Sequence, residues 1–93
     1  MALPIFQRAT ELDPGYKRAW HNTAGCLINL RRFAEAVPAA RQALRLGPDD
    51  PGAQLNLGVA LMLSGDRATG RVVLQRACRA LPQARDCALL RSP

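Results

Sequence analysis

The residues that come nearest to a nucleophilic pair are His21 and Cys26, since the sequence contains one histidine and three cysteines. A histidine activates a cysteine when a ring nitrogen lies within hydrogen-bond reach of the sulfur. The two residues fall five positions apart on one predicted helix, so their side chains point about 140° apart around its axis. We therefore do not expect a catalytic pair at these positions.

The three cysteines do not have the spacing of a metal site. Cys26, Cys78 and Cys87 contain no Cys-x2-Cys pair, and a single histidine cannot complete a zinc ligand set. We expect no metal or cofactor, and we expect buried free thiols in a reducing compartment, as in a cytoplasmic protein. A disulfide between Cys78 and Cys87 is the alternative, if a helix hairpin brings the two residues together.

The acidic residues are explained by local structure. Four aspartates fall at predicted helix ends, where a carboxylate accepts backbone N–H bonds and interacts favourably with the helix dipole: Asp13, Asp49, Asp50 and Asp66. We expect Glu11 and Glu35 to be solvated. No glycine-rich phosphate loop follows a predicted strand, because the pattern contains no strand. These residues predict a protein that is not an enzyme.

The net charge of +6 arises from thirteen basic and seven acidic residues, and Lys17 is the single lysine among twelve arginines. One interpretation is a surface that binds a polyanion such as nucleic acid or acidic lipid. The arginines are spread along the chain, however, and no aromatic residues alternate with them as in a nucleic-acid stacking surface. We therefore expect arginine to serve mainly as a solvent-facing residue, and polyanion binding stays an alternative.

The composition limits the elements that can position these side chains. The 93 residues are enough for one domain, and 48% are hydrophobic but only 4% aromatic. The core must therefore be built from leucine and alanine, which favour helices. The longest apolar run, residues 59–63, is far shorter than the roughly 20 residues of a membrane span. We expect no signal peptide, because the first residues include no basic leader, and no membrane partner.

A period of 34 residues runs through the sequence. Pro14, Pro48 and Pro82 are separated by this distance, and so are Ala9, Ala43 and Ala77. Shifting the chain by 34 residues superimposes identical residues at 13 of 59 positions, where roughly 5 are expected by chance from this composition. Periodicity of this length indicates a stacked-repeat architecture.

Within each period the pattern predicts a helix, a short turn and a second helix. Gly47-Pro48 ends one helix, and Asp50-Pro51 provides an N-cap and a first-turn proline for the next. Ser64-Gly65-Asp66 is predicted to form a turn that ends in another N-cap. Apolar residues recur at helical spacing over residues 3–12, 17–30, 32–46, 51–63 and 67–81.

This pattern resembles the tetratricopeptide repeat, a helix hairpin with a Trp-x2-Leu-Gly…Ala…Ala…Pro signature. Residues 17–50 and 51–84 resemble two whole repeats. Residues 1–16 resemble the second half of a preceding repeat, and residues 85–93 resemble the start of a further repeat or a cap helix. The resemblance implies one all-α domain, a solenoid of stacked helix hairpins that winds into a right-handed superhelix.

The sequence departs from the family pattern at four places. Thr23-Ala24 stands where the family has Leu-Gly, and Gln54 stands for the tryptophan of the second repeat. Arg31 occupies the turn position that Gly65 holds in the next repeat. Pro38 falls inside a predicted helix, where the lost hydrogen bond costs about 3 kcal/mol unless the helix kinks.

The resemblance implies a protein–protein interaction scaffold or adaptor, in which the first helix of each hairpin lines a concave groove for a peptide or partner helix. Asn22 and Asn56 share one repeat position and are the sharpest candidates, because an amide both donates and accepts hydrogen bonds. Only Asn56 matches the family's carboxylate clamp, so we do not expect that activity. Carried over by position, the groove residues are Arg18, His21, Asn22, Gly25, Asn29, Leu55, Asn56, Val59, Met62 and Leu63.

Further alternatives concern the surroundings of the chain. It could be a segment of a larger tetratricopeptide-repeat protein whose catalytic domain lies outside these residues. The helix predicted at residues 3–12 has no hairpin partner, and we expect Leu3, Ile5 and Phe6 to be exposed there. An exposed apolar face of this kind predicts self-association or a missing upstream segment.

Overall fold

The computed structural model describes residues 3–91. Five α-helices follow one another, and none of the described residues forms a strand. The predicted all-α fold is confirmed, and every predicted helix bound is correct to within one residue. The α-helices are α1 (Leu3–Leu12), α2 (Lys17–Asn29), α3 (Phe33–Leu46), α4 (Pro51–Ser64) and α5 (Arg67–Ala80), and a 3-10 helix follows at Arg85–Arg91.

The helices stack in chain order. Each α-helix packs against the next one, and α2 also packs against α4. The hairpins α2–α3 and α4–α5 therefore lie side by side, with their first helices in contact. The 3-10 helix packs against both α4 and α5. This is the arrangement of a helix-hairpin solenoid, in which α2 and α4 are the first helices of the two hairpins.

Small residues allow the helices to approach closely. Ala24 of α2 and Ala36 of α3 are fully buried. The counterparts of these residues in the second hairpin are Gly58 and Gly70, and there the backbones lie closer still. A Cβ atom added at Gly58 would lie 2.8 Å from the backbone of Leu74, so the α4–α5 crossing has no room for a side chain.

The predicted caps and turns are present in the second hairpin. Asp50 accepts a hydrogen bond from the Gly52 N–H at 2.9 Å, and Asp66 accepts one from the Thr69 N–H at 3.3 Å. These bonds satisfy backbone donors that a helix N-terminus leaves unpaired. Gly65 ends α4 with a φ of 116°, a left-handed conformation that glycine adopts without steric cost.

Pro38 does not interrupt α3, which continues from Phe33 to Leu46. Proline removes the hydrogen bond to the carbonyl of Ala34, four residues earlier. Both Pro38 and Ala34 are exposed, so water can bind the carbonyl that the helix leaves without a partner. Solvation explains how α3 accommodates the proline without ending.

Gln54 replaces the tryptophan of the first hairpin and keeps its hydrogen bond. The Trp20 Nε1–H donates to the Pro14 carbonyl at 2.7 Å. One repeat later, the Gln54 side-chain amide donates to the Pro48 carbonyl at 3.3 Å. Both bonds join the first turns of a hairpin to the proline that precedes it, so the substitution preserves the connection between repeats.

The expectation of free thiols is wrong for two of the three cysteines. Cys78 and Cys87 form a disulfide with their Cα atoms 5.9 Å apart, whereas Cys26 is free. The reason is that α5 ends at Ala80 and the chain turns back, so the 3-10 helix lies against α5. This is the hairpin geometry that the alternative prediction, a Cys78–Cys87 disulfide, required.

The apolar face expected on α1 is smaller than the sequence suggests. Leu3 is only 3% exposed and belongs to the main core cluster with Ala24 and Leu27, so the expectation for this residue is wrong. Ile5 is 69% exposed, and Phe6 is half-buried. Packing of α1 against α2 covers the face that carries Leu3 and leaves Ile5 in solvent.

Candidate protein-binding groove

A cleft of about 480 Å³ lies at the N-terminal ends of α2 and α4. Four of its residues come from the first two turns of α2, where positions four apart lie on the same helix face. The others come from the N-terminus of α4. The lining residues are Lys17, Arg18, His21, Asn22, Asp50 and Gly52.

An ion pair joins the two helices at the edge of this cleft. The Lys17 Nζ donates to the Asp50 Oδ2 at 2.8 Å, while the other oxygen of Asp50 caps α4. The hydrogen bond from Lys17 holds the pKa of the Asp50 carboxyl below its ordinary value, against the opposing effect of desolvation. The positive charge of Lys17 is therefore largely neutralised by Asp50. Arg18 is exposed and pairs with no acidic group in residues 3–91, so it supplies the accessible positive charge.

Two glycines make room for the side chains that line the cleft. A Cβ atom added at Gly47 would lie 2.7 Å from Cδ of Lys17, and one added at Gly52 would lie 3.2 Å from Cε1 of His21. His21 also lies close to α4, with its Nδ1 3.5 Å from the Asn56 Nδ2, the long limit of a hydrogen bond. Asn56 of α4 therefore lies next to the residues of α2 that line the cleft.

The structure brings together only part of the predicted groove. Arg18, His21 and Asn22 line the cleft, and Asn56 contacts His21. Gly25 and Leu55 are half-buried, whereas Asn29 and Leu63 are exposed toward the C-terminal ends of their helices.

Val59 and Met62 are buried, although their repeat positions place them in the groove. They are 2% and 3% exposed and form a cluster with Leu74 of α5. Leu89 and Leu90 of the 3-10 helix pack against the same cluster. The folded-back C-terminal segment therefore covers the surface that these two residues would present to a ligand.

Sequence reasoning missed the contribution of Lys17, Asp50 and Gly52 to the cleft. The period contains a signal that could have found it, since Lys17 and Pro51 occupy the same repeat position. Equivalent positions of adjacent repeats lie side by side in a stack, which places Lys17 next to the N-cap of α4. The pairing of Lys17 with Asp50 follows from that neighbourhood.

The remaining chemistry-bearing residues lie apart from one another. Cys26 packs against the main core cluster, whereas His21 lines the cleft. Within residues 3–91 there is no group of three or more His, Cys, Asp or Glu side chains that could hold a metal ion. Among the helices within residues 3–91, none has the length and hydropathy that a membrane span requires.

Comparison with known proteins agrees with the repeat pattern. The sequence matches the family model described as Tetratricopeptide repeat over residues 2–51 and 27–85. No curated protein matches the chain. Repeats of this family generally mediate protein–protein interaction and are typically non-catalytic scaffolds. The matched ranges and the stacked helix hairpins together show that the chain belongs to the tetratricopeptide repeat family.

Proposed function

We propose that this chain is a protein-interaction module that binds an extended peptide segment in the cleft between α2 and α4. No covalent bond is made or broken. The observation that carries the proposal is that His21 and Asn22 of one repeat line an open cleft, while Asn56 of the next repeat lies beside His21 at its edge. All three are only half-buried, so their polar atoms are accessible to a ligand.

The chemistry of the cleft suits a peptide backbone. An extended chain presents one N–H and one C=O per residue, and each asparagine amide can donate to one and accept from the other. Arg18 adds an exposed positive charge that favours an acidic residue in the bound segment. The proposed contact residues are therefore Arg18, His21, Asn22 and Asn56.

Several residues of the predicted groove are not among the proposed contacts. Val59 and Met62 are left out because both are buried in the cluster with Leu74. Asn29 and Leu55 lie outside the lining of the cleft. Asn29 would contact only a peptide that extends to the C-terminal end of α2, whereas Leu55 packs against the cluster of Val59 and Met62.

The test is selection of binding peptides, followed by affinity measurements on matched variants. A phage-displayed library of unstructured peptides is panned against the immobilised protein, and the Kd of the selected peptides is measured by calorimetry. Asn22→Ala combined with Asn56→Ala should weaken binding about 5- to 150-fold, because two hydrogen bonds are lost at about 0.5–1.5 kcal/mol each. Asn29→Ala is the control, since it removes an exposed amide from the same helix outside the cleft. Equal affinities for the double variant and the wild type would contradict the proposal.

Binding of a polyanion through arginine is the second candidate, and one helix favours it. Within Arg67–Ala80, α5 carries four arginines and no acidic residue: Arg67, Arg71, Arg76 and Arg79. Salt separates the two candidates. Affinity for a polyanion falls steeply as salt is added, because counterions are released on binding, whereas backbone recognition in the cleft should depend on salt only weakly.

A further inference from the structure

The 3-10 helix at the C-terminal end of the described chain covers an apolar surface. Its residues Arg85–Arg91, which we term the cap segment, place Leu89 and Leu90 against the cluster of Val59, Met62 and Leu74. Every residue of that cluster is at most 3% exposed. Removal of the cap segment would leave part of α4 and α5 open to solvent.

The cap segment lies where the 34-residue register places the first helix of a further repeat. In the 34-residue register, Leu89 is the counterpart of Leu55 in α4, and both leucines border the same cluster. The cap segment has only seven residues, and none of them is buried. A short 3-10 helix has poor hydrogen-bond geometry and little stability of its own, so its position depends on what attaches it.

Among the described residues, a disulfide and a hydrogen bond attach the cap segment to α5. The disulfide links Cys78 of α5 to Cys87, and the Arg71 guanidinium donates a hydrogen bond to the Leu90 carbonyl. The hydrogen bond is exposed, and such bonds exchange readily with water. Two half-buried leucines offset only part of the conformational entropy lost when the segment is ordered. The disulfide is therefore the connection that decides whether the segment stays in place.

We propose that the Cys78–Cys87 disulfide is a redox-controlled lock on the cap segment, and that reduction uncovers the surface formed by Val59, Met62 and Leu74. The reductant is a dithiol. It supplies two electrons and two protons, the S–S bond breaks, both cysteines become thiols, and the reductant leaves as a disulfide. Cys78 and Cys87 are both half-buried rather than enclosed, so a dithiol can reach them. The inference does not depend on the peptide cleft between α2 and α4.

Amide hydrogen exchange followed by mass spectrometry tests the lock. Exchange is compared between the oxidised protein, the protein reduced with dithiothreitol, and a variant that combines Cys78→Ala with Cys87→Ala. We expect exchange to become roughly 100-fold faster in the cap segment, the size of effect that a lost crosslink produces, and to rise by a smaller factor near Val59 and Met62, whose amides stay within α4. Amides of α2 should keep their protection and serve as the internal reference. Cys26→Ser retains the disulfide and should respond to the reductant as the wild type does.

Two outcomes would overturn the proposal. Unchanged exchange in the cap segment of both the reduced protein and the double variant would show that the packing of Leu89 and Leu90 and the Arg71 hydrogen bond hold the segment without the disulfide. An equal loss of protection in α2 and in the cap segment would show that the disulfide stabilises the whole fold rather than locking one end. The double variant contains no reducible pair, so it separates loss of the lock from any other effect of dithiothreitol.

Discussion

The two hairpins, α2–α3 and α4–α5, have the same fold but begin their helices differently. In the second hairpin, Asp50 and Asp66 cap α4 and α5 with side-chain hydrogen bonds. In the first, Tyr16 and Arg32 stand at the caps of α2 and α3, and neither forms a capping side-chain bond within the described residues. A missing cap of this kind costs about 1 kcal/mol.

The turn and the second helix of the first hairpin also contain residues that disfavour their local conformation. Arg31 holds a φ of 59° at a position equivalent to Gly65, so a residue with a Cβ atom adopts a left-handed conformation there. Pro38 lies within α3, where α5 has Val72. Both features disfavour the local conformation of the first hairpin.

The comparison shows that one repeat fold can be stabilised in two ways. Local signals favour the second hairpin, and its helices cross so closely at Gly58 and Gly70 that neither position has room for a Cβ atom. The first hairpin has fewer local signals, but it packs against α1 on one side and α4 on the other. Because neighbouring units stabilise one another in a stacked array, packing compensates for what the local sequence of the first hairpin lacks.

Substitutions of Pro38 and Val72, which share one repeat position, should have the largest effect on the free energy of unfolding. Val72→Pro should lower the free energy of unfolding by about 3 kcal/mol, because it removes a helix hydrogen bond and adds a clash with the preceding turn. Pro38→Ala should raise it by about 1–3 kcal/mol for the converse reason. Urea denaturation followed by circular dichroism measures both. Val72 is 53% exposed, so Val72→Ala is the control and should change little. A Val72→Pro variant as stable as the wild type would refute this comparison.

The close crossing of α4 and α5 is tested by Gly70→Ala. An added Cβ atom would lie 2.6 Å from the Met62 backbone nitrogen, so we expect a loss of about 1–3 kcal/mol from overpacking. The matched control is Gly25→Ala in α2, where no described atom lies within 4 Å of an added Cβ atom. That variant should instead be stabilised by about 0.4–1 kcal/mol. Thermal unfolding of both variants gives the comparison, and a shift of the same sign in both would contradict it.

The turn position is tested by Arg31→Gly and Gly65→Ala. The first should stabilise the protein by about 1 kcal/mol, because glycine adopts a positive φ without the steric cost of a Cβ atom. The second should destabilise it by a similar amount. Gly65→Asn should be tolerated better than Gly65→Ala, since asparagine enters the left-handed region more readily. Melting temperatures in the order Gly65→Ala above Gly65→Asn would be inconsistent with strain as the cause.

Acid should weaken the link between the two hairpins by a smaller amount. The pKa of Asp50 is lowered in the folded protein by the hydrogen bond from Lys17. Its contribution to stability is therefore complete above the unfolded pKa of about 3.9 and is lost as the pH falls through the lower folded value. We expect about 0.5 kcal/mol, because Lys17 is partly exposed and solvent screens the pair.

Melting temperatures between pH 7 and pH 2 measure this contribution. Asp50→Asn keeps a capping side chain but removes the charge, so its melting temperature should fall less in acid than that of the wild type. Asp49→Asn is the control, since Asp49 is an exposed neighbour. A wild type and an Asp50→Asn variant with parallel pH profiles would rule out the ion pair as a source of stability.

The helices could be predicted from the sequence because their signals are local. Gly47-Pro48 and Asp50-Pro51 define helix ends by backbone chemistry alone, and a periodic apolar stripe requires no knowledge of the partner surface. The position of His21 next to Asn56 could be predicted for a related reason, since equivalent positions of adjacent repeats lie side by side.

The remaining features depend on tertiary contacts. The burial of Val59 and Met62 depends on where residues 85–91 fold back, which their own pattern does not specify. The spacing of Cys78 and Cys87 is equally compatible with thiols and with a disulfide. The sequence could not predict that Gln54 makes the same hydrogen bond as Trp20 at the equivalent repeat position, because that bond depends on how far each side chain reaches.

Trp20 also gives the molecule an optical signal with a known origin. It is the single tryptophan of the chain, it is bonded to the Pro14 carbonyl between α1 and α2, and it lines a cleft with Gln7 of α1 and Ala39 of α3. Its fluorescence therefore reports the junction of the first three helices, whereas far-ultraviolet circular dichroism reports all of them. Coincident melting curves would show that the array unfolds in one cooperative step. A difference between the two melting temperatures would show that the first three helices unfold separately from the rest of the array.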